Sequence, residues 1–173
     1  MHPLVEQLKF ARLEFERVFA GVPDDDATRR LLPMNCLSWI MAHLALQEQR
    51  YWITIPQGRD AVRHPELIEL SGYPDKATTP ELAVVREIWT GVAEDADTFL
   101  DNVTDEQLAR HFVFDGERLP ESVGTMLYRN VHHYWFHIGE AHAIRQQLGH
   151  RDLPDFVGAR GERAPFRPGW VGA

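Results

Sequence analysis

The chain has 173 residues, of which 44% are hydrophobic and 25% charged, and its formal net charge is −8. These proportions are typical of a folded protein and argue against a disordered chain, and the length fits one domain. The negative charge disfavours nucleic-acid binding, which depends on clustered Lys and Arg. One cysteine, Cys36, excludes an internal disulfide and a cysteine-cluster metal site. Apolar runs are too short to span a membrane and Glu6 interrupts any signal-peptide core, so we expect a soluble, cytoplasmic protein.

The first predicted element is a helix that begins at Pro3 and ends before Gly21 and Pro23. Proline is favoured in the first turn of a helix, and a glycine followed by a proline is typical of a helix end. Apolar side chains recur at alternating spacings of four and three, which places them on one face: Leu4, Leu8, Ala11, Phe15 and Val18.

The second predicted helix runs from about Leu37 to Ile55, with Asn35 as its N-cap. Its end is predicted at the segment Pro56-Gln57-Gly58, because proline and glycine do not continue a helix. Apolar residues cover a broad face of this helix, which favours a buried position in the fold.

The third and fourth predicted helices carry the other apolar faces. The third begins at Thr79-Pro80 and presents a face made of Leu82, Val85, Trp89, Val92, Ala96 and Phe99. The fourth begins near Ser122 and ends at Gly149, a residue favoured just after a helix. Its face contains three polar residues among apolar ones: Val123, Met126, Asn130, His133, His137, Ala141, Ile144 and Leu148.

Three connecting segments complete the prediction. Residues 56–78 form a long connection with one short turn at residues 65–68, and connections of this length often serve function. Asp115-Gly116 between two short apolar stretches predicts a tight β-hairpin. The sequence therefore predicts an all-α fold, a four-helix bundle over residues 1–150 with a small hairpin. Residues 151–173 are predicted to be an extended tail that packs on the bundle or on a partner subunit.

Two histidines on the fourth helix suggest a metal site. His133 and His137 are one turn apart, so their rings project from one face and can bind a single ion. Asn130 lies one turn earlier on the same side. Because no glutamate follows His133 directly, the zinc-protease pattern His-Glu-x-x-His is excluded. A network of water or side chains that satisfies both rings is the structural alternative.

A third ligand has to come from another helix, because catalytic metals commonly take three protein ligands. His43, on the second helix, is the leading candidate, although it lies at the flank of that helix's apolar face. The alternative is a histidine that hydrogen-bonds to a neighbouring helix. The remaining histidines are predicted to be surface residues: His2, His64, His111, His132, His142 and His150.

Four other side chains are weighed for chemistry. Cys36 is the only thiol, but no base is evident near it, which favours a buried structural role. Tyr134 and Tyr51 are either proton donors near the site or packed rings with a satisfied hydroxyl. Glu140 either orients an imidazole of the metal site or is a solvated surface residue.

Two segments resemble the DinB-like superfamily of four-helix-bundle proteins, which includes bacterial thiol-dependent S-transferases. They are Trp39-Ile40-Met41-Ala42-His43-Leu44 and His133-Tyr134-Trp135-Phe136-His137-Ile138-Gly139-Glu140. The resemblance covers roughly residues 3–149 and rests on helix order, the His137-Ile138-Gly139 step and the upstream histidine. It implies an up-down-down-up bundle, a homodimer, and a divalent ion such as zinc or nickel held by His43, His133 and His137.

The resemblance also implies an activity. Family members of known activity transfer a low-molecular-weight thiol such as bacillithiol, mycothiol or glutathione to a small-molecule electrophile, which suggests attack by a metal-bound thiolate here. The alternatives are a metal-dependent hydrolase and a non-catalytic metal-binding stress-response protein. No catalytic residue beyond the three metal ligands is assigned.

Overall fold

The computed structural model describes residues 1–72, 78–155, 157–158 and 160–165. Its α-helices, in chain order, are α1 (Pro3–Phe19), α2 (Asp24–Thr28), α3 (Leu37–Glu48), α4 (Ile55–Gln57), α5 (Leu67–Ser71), α6 (Leu82–Leu100), α7 (Asp105–Ala109), α8 (Val123–Gln147) and α9 (Arg160–Arg163). A π-helical segment (Gln49–Thr54) joins α3 to α4, and a 3-10 turn (Arg59–Ala61) follows α4. Strands β1 (His111–Phe114) and β2 (Glu117–Ser122) are antiparallel. The predicted all-α fold with a small hairpin is confirmed.

The first and last long helices, α1 and α8, lie side by side and run parallel. The rings of Phe10 and Trp135 are 5.8 Å apart near the middle of both helices. Further along both, the Arg145 guanidinium donates to the Val18 carbonyl at 2.7 Å. Residue numbers therefore increase in the same direction along the two helices.

Helix α6 runs antiparallel to α1. The Lys9 ammonium lies 2.8 Å from the Asp97 carboxylate, whereas the Phe19 carbonyl accepts a hydrogen bond from Arg86 at 3.3 Å. A later residue of α1 thus meets an earlier residue of α6.

Helix α3 runs parallel to α6, so the bundle is up-down-down-up. Trp52, just after α3, stacks on Phe99 near the end of α6. At the opposite end, the Cys36 thiol donates to the carbonyl of Thr78, shortly before α6 begins. Two parallel neighbours require a long connection, which residues 58–81 provide.

The core lies between the four long helices, where the predicted apolar faces meet. Most residues of those faces are buried. All four long helices and the π-helical segment contribute large side chains that are completely enclosed: Phe15, Phe19, Leu37, Ile40, Met41, Leu44, Trp52, Ile53, Leu100 and Tyr134. Among the described residues, no helix is both long enough and apolar enough to cross a membrane.

Several helix ends follow the sequence signals. Helix α8 begins after Ser122, whose hydroxyl accepts the backbone N–H of Thr125 at 3.2 Å, and it ends just before Gly149, which has a φ of 88°. The N-cap of α3 is Cys36 and not the predicted Asn35. The Asn35 side chain instead accepts a hydrogen bond from Arg30 at 3.5 Å, and Cys36 makes no side-chain capping bond.

The hairpin forms at the predicted turn. Asp115 and Gly116 both have positive φ, 52° and 82°, as a type I′ turn requires. The flanking residues Phe114 and Glu117 pair across the two strands.

The π-helical segment is associated with a proline that cannot donate. Pro56 has no backbone N–H, so the carbonyl of Trp52, four residues earlier, lacks its usual helical donor. The Gln57 side chain donates to that carbonyl at 2.8 Å, and the Thr54 hydroxyl donates to the Gln49 carbonyl at 3.1 Å. Single π-turns are frequent at functional sites, and Trp52 in this segment donates to the Asn130 side chain of α8 at 2.7 Å.

The part of the tail that the structure describes packs on α1 of its own chain. The Glu14 carboxylate accepts the backbone N–H of Gly158 at 3.1 Å, and Arg17 donates to the Asp155 carbonyl. The tail also contains the short helix α9. Residues 73–77 of the predicted connection and residues 156, 159 and 166–173 of the predicted tail lie outside the described residues.

Candidate metal centre

Three histidine side chains converge between α3 and α8. His133 Nε2 lies 3.2 Å from Nε2 of His43 and 2.9 Å from Nε2 of His137. One nitrogen from each ring lies within 4.8 Å of the other two. The flank of α3 that carries His43 faces α8, which explains why a residue outside the centre of the apolar face is part of the group. The structure thus brings together the three residues singled out in the sequence.

The donor set fits a divalent metal ion. Nδ1 of His137 lies 2.7 Å from a carboxylate oxygen of Glu140, so this nitrogen carries the proton of the neutral ring and Nε2 keeps its lone pair. Three nitrogens bound to one tetrahedral ion lie roughly 3.3 Å apart, close to the two distances found here. Imidazole nitrogens are common ligands of zinc and nickel.

Burial keeps two of the rings neutral at pH 7. It lowers the pKa of His43 to about 4, with a further decrease from His137 and an opposing effect of Glu140. It also lowers the pKa of His133 to about 3, with further decreases from His137, His43 and Arg129. Because only a neutral imidazole has a free lone pair, both rings can bind a metal ion without first losing a proton.

The His43 ring is held in place by a tryptophan. Trp39, one turn earlier on α3, stacks on it with centroids 4.8 Å apart and an interplanar angle of 8°. The Trp39 indole N–H in turn donates to the Ser71 carbonyl at 2.7 Å. Since Ser71 ends α5, the long connection after α4 contributes directly to the position of a site residue.

The site reaches solvent along α8. Phe136 is 67% exposed, and its ring meets that of His137 edge to face at 5.1 Å. His43 and His133 are half-buried, whereas His137 is buried. The site therefore lies near the surface of the bundle, on the side of α8 that carries Phe136.

The other side chains considered for chemistry have mostly structural roles. Cys36 is fully buried, with its sulfur 3.4 Å from the Ser38 hydroxyl. The Tyr134 hydroxyl accepts the indole N–H of Trp89 at 2.7 Å, so Tyr134 is a packed ring with a satisfied hydroxyl. The Tyr51 ring packs edge to face on its neighbour Trp52.

Glu140 is a site residue. It is not a solvated surface residue, because its carboxylate is hydrogen-bonded to the His137 ring and its side chain is only 21% exposed. The sequence signal was its spacing, three residues after His137, which places both on one helix face.

The remaining histidines have other partners or positions. The described residues contain one group of three His, Cys, Asp or Glu side chains arranged to hold a metal, and it includes none of them. His2 caps α1 and pairs with Asp105, and His150 pairs with Asp26 at 2.9 Å. His2 and His150 were predicted to be surface residues, but both have structural partners.

A second polar cluster, not predicted from the sequence, lies in the core. The Arg12 guanidinium donates two hydrogen bonds to the Glu48 carboxylate, at 2.8 and 2.5 Å, and one to Asp97 at 2.7 Å. The Tyr134 hydroxyl is buried beside the same glutamate, and burial together with the Glu48 charge raises the pKa of that hydroxyl. We call these four residues the Arg12–Glu48 cluster. The sequence contained a signal for the burial of Arg12, which falls four residues after Leu8 on the apolar face of α1.

The chain was also compared with known proteins. A family model described as the DinB superfamily matches residues 7–141, a range that contains the three histidines and Glu140. A comparison with curated proteins gives no match. Since the family model extends over more than half of the sequence, from α1 into α8, the chain belongs to the DinB superfamily.

Proposed function

We propose that His43, His133 and His137 hold one divalent cation, zinc or nickel, and that the protein is a metal-dependent transferase. Its substrates would be a low-molecular-weight thiol and a small electrophile, and it would act in the cytoplasm as a homodimer. The observation that carries the metal site is the convergence of three ring nitrogens within 4.8 Å. The thiol, the electrophile and the homodimer are inferred from what members of the family do.

The chain's own residues prepare the site for a cation. Glu140 holds the proton of His137 on Nδ1, which directs the lone pair of Nε2 toward His133. Trp39 fixes the plane of His43, so little side-chain entropy is lost when the site is filled. A divalent ion in this position would lower the pKa of a thiol or water that it binds, which is the activation a nucleophile needs at neutral pH.

Metal-dependent hydrolysis is the second candidate, and the position of Glu140 favours it. Its carboxylate is partly exposed beside His137. A carboxylate at the edge of the site could accept a proton from water, as a general base does. Attack by a thiol also releases a proton, but a thiol is more acidic than water, so transfer of a thiol to an electrophile depends less on such a base.

Metal binding is tested first, on protein without a polyhistidine tag. The metal-free protein is titrated with zinc and with nickel, and we expect about one ion per chain, as a mononuclear site requires. His137→Ala should abolish binding and leave the far-ultraviolet circular dichroism unchanged. His132→Ala is the matched control, since that ring stacks on Tyr128 away from the cluster. Only trace metal in the parent, or equal loss in both variants, contradicts the proposal.

Product analysis then separates the activities. The metal-loaded protein is incubated with panels of thiols and electrophiles, and products are identified by mass spectrometry. A thiol adduct that the parent forms and His137→Ala does not supports the transferase. A hydrolysis product that forms without thiol supports the hydrolase. Stoichiometric metal binding with neither product indicates a non-catalytic metal-binding protein.

A further inference from the structure

Two exposed side chains of α8 flank the histidine group along the helix. Arg129, His133 and Phe136 follow one another at spacings of four and three, so they lie on one face of α8. The Arg129 side chain is 54% exposed and Phe136 is 67% exposed, whereas His133 between them is half-buried. We call these three residues the α8 stripe. It presents a cation and an apolar ring to solvent on either side of a proposed metal ligand.

A carboxylate of the hairpin fixes Arg129 beside the histidine group. The guanidinium donates two hydrogen bonds to Glu121 on β2, the one from Nε at 2.9 Å. These bonds use two of the five N–H donors of an arginine, and its side chain makes no other hydrogen bond among the described residues. The guanidinium is close enough to His133 for its charge to contribute to the lowered pKa of that ring. Donors of a positioned cation are therefore available to a ligand near His133.

The charges along α8 distinguish the two ends of the histidine group. Arg129 lies one turn before His133, whereas the Glu140 carboxylate lies beyond His133, against the ring of His137. A negative group of a ligand is therefore attracted at the Arg129 end and repelled at the Glu140 end. Phe136 meets the His137 ring at 5.1 Å and provides an apolar surface for the rest of the ligand.

The α8 stripe has the length of a small organic molecule. At a rise of about 1.5 Å per residue, Arg129 and Phe136 are roughly 10 Å apart along the helix axis, and His133 lies between them. The planar guanidinium matches the geometry of a carboxylate, which it can bind through parallel hydrogen bonds. An acid with a short apolar part could thus contact both exposed residues and pass over His133.

We propose that Arg129 and Phe136 select the substrate of the histidine group, which is a small organic acid. Arg129 binds its carboxylate, and Phe136 packs against its apolar part. Both are specificity residues, because they bind the substrate away from the three metal ligands. That this acid is the thiol or the electrophile of the reaction rests on the proposed function, whereas its binding to the α8 stripe does not.

The first test uses metal-free protein and two probes, 3-phenylpropionate and 3-phenylpropanamide, which have nearly the same shape and differ in charge. Binding is followed by NMR through the backbone N–H groups of His133 and Phe136. The parent should bind the acid about fivefold more tightly than the amide, as expected for a charge-assisted pair that is partly exposed. Arg129→Met should remove this preference.

Three further variants make the outcome decisive. Glu121→Gln removes the charge that competes for Arg129 and should increase the preference for the acid, whereas a pair that only holds the hairpin on α8 would give the same change in both variants. Phe136→Ser should weaken both probes equally. Arg63→Met is the matched control, since Arg63 forms an exposed pair with Asp95 of α6. Because the preferences are ratios compared between variants, other differences between the probes cancel.

The second test relates the α8 stripe to the proposed reaction. The first titration is repeated on cobalt-loaded protein, together with 3-mercaptopropionate and 3-mercaptopropanamide, whose binding is measured by the absorption of thiolate bound to cobalt. A preference for the mercapto acid that depends on Arg129 assigns the carboxylate to the thiol. A preference confined to the phenyl acid assigns it to the electrophile.

The outcomes distinguish the two proposals. If the parent shows no preference for either acid, with or without cobalt, the selection by Arg129 is wrong, even where the protein binds metal. A preference that Arg129→Met leaves unchanged overturns it as well. If the metal-free parent prefers the acid but binds no metal ion, the α8 stripe is a binding site for acids and the proposed function fails.

Discussion

Two polar clusters lie in the same helix bundle and are built in opposite ways. In the Arg12–Glu48 cluster, every bond of the guanidinium joins it to an oxygen of α3 or α6, and α8 contributes Tyr134. The cluster therefore links all four long helices. In the histidine group, three basic nitrogens point at one another, and Nδ1 of His133 has no partner among the described residues.

The Arg12–Glu48 cluster stabilises the fold, whereas the histidine group is available to a ligand. Opposite charges that satisfy each other leave nothing for an external molecule to bind. Neutral imidazole nitrogens with converging lone pairs stabilise one another little, whereas all three can bind one cation. The bundle includes both because four helices can bury most of one cluster while leaving the other at the groove between two of them.

The largest effect is expected for Arg12→Met, which leaves Glu48 as a buried charge without its partner. Removing one member of a buried ion pair costs about 3–5 kcal/mol, so the free energy of unfolding measured in urea should fall by that amount. Arg110→Met is the control, because its pair with Glu106 is exposed and should be worth less than about 1 kcal/mol. An equal effect of both variants would show that the buried cluster does not stabilise the fold.

The next effect concerns the histidine group. Glu140→Ala removes the acceptor that holds His137, and zinc affinity should fall about 10–100-fold. Glu140→Gln keeps an oxygen that can accept from Nδ1 and should lie between the parent and the alanine variant. Titration of metal-free protein measures both. Undiminished affinity of Glu140→Ala would mean that the carboxylate does not orient the ring.

A third effect is a pH dependence of stability in the metal-free protein. The folded pKa values of His43 and His133, about 4 and about 3, lie below the value of about 6.5 for an unfolded chain. The unfolded state therefore binds more protons as the pH falls below about 6.5, and the free energy of unfolding decreases until the pH reaches the folded values.

The comparison with His133→Leu isolates this contribution from other acid effects. The variant lacks one of the two rings, so its stability should decrease less than that of the parent between pH 7 and pH 4. At pH 7 the two should differ by less than about 1 kcal/mol, because leucine removes a ring with an unpaired buried nitrogen. Urea unfolding in the presence of a chelator gives both values, and parallel pH curves would contradict the lowered pKa of His133.

Features that depend on a few neighbouring residues could be predicted from the sequence. Pro3 begins α1, Ser122 caps α8 and Gly149 follows its end. Asp115-Gly116 gives the hairpin because two successive positive φ angles favour these residue types. The spacing of His133 and His137 sufficed to place both rings on one face of α8.

Features that depend on partners distant in the chain could not be predicted in the same way. The π-helical segment at Gln49–Thr54 involves carbonyls that accept from side chains, which apolar periodicity does not indicate. The apolar pattern of α3 left His43 on a flank, and only the packing of α8 shows that this flank is the site. Arg12 was not recognised as a core residue because its partner Glu48 lies on another helix.

The parallel packing of α1 on α8 has a consequence for biosynthesis. Helix α1 ends at Phe19 and α8 begins at Val123, so the ribosome completes the first helix long before its partner. At roughly 5–20 residues per second, several seconds pass in which the apolar face around Phe15 has no α8 to cover it. Nascent chains that stop before α8 should therefore bind chaperones, and final folding should occur only after the last long helix has been released.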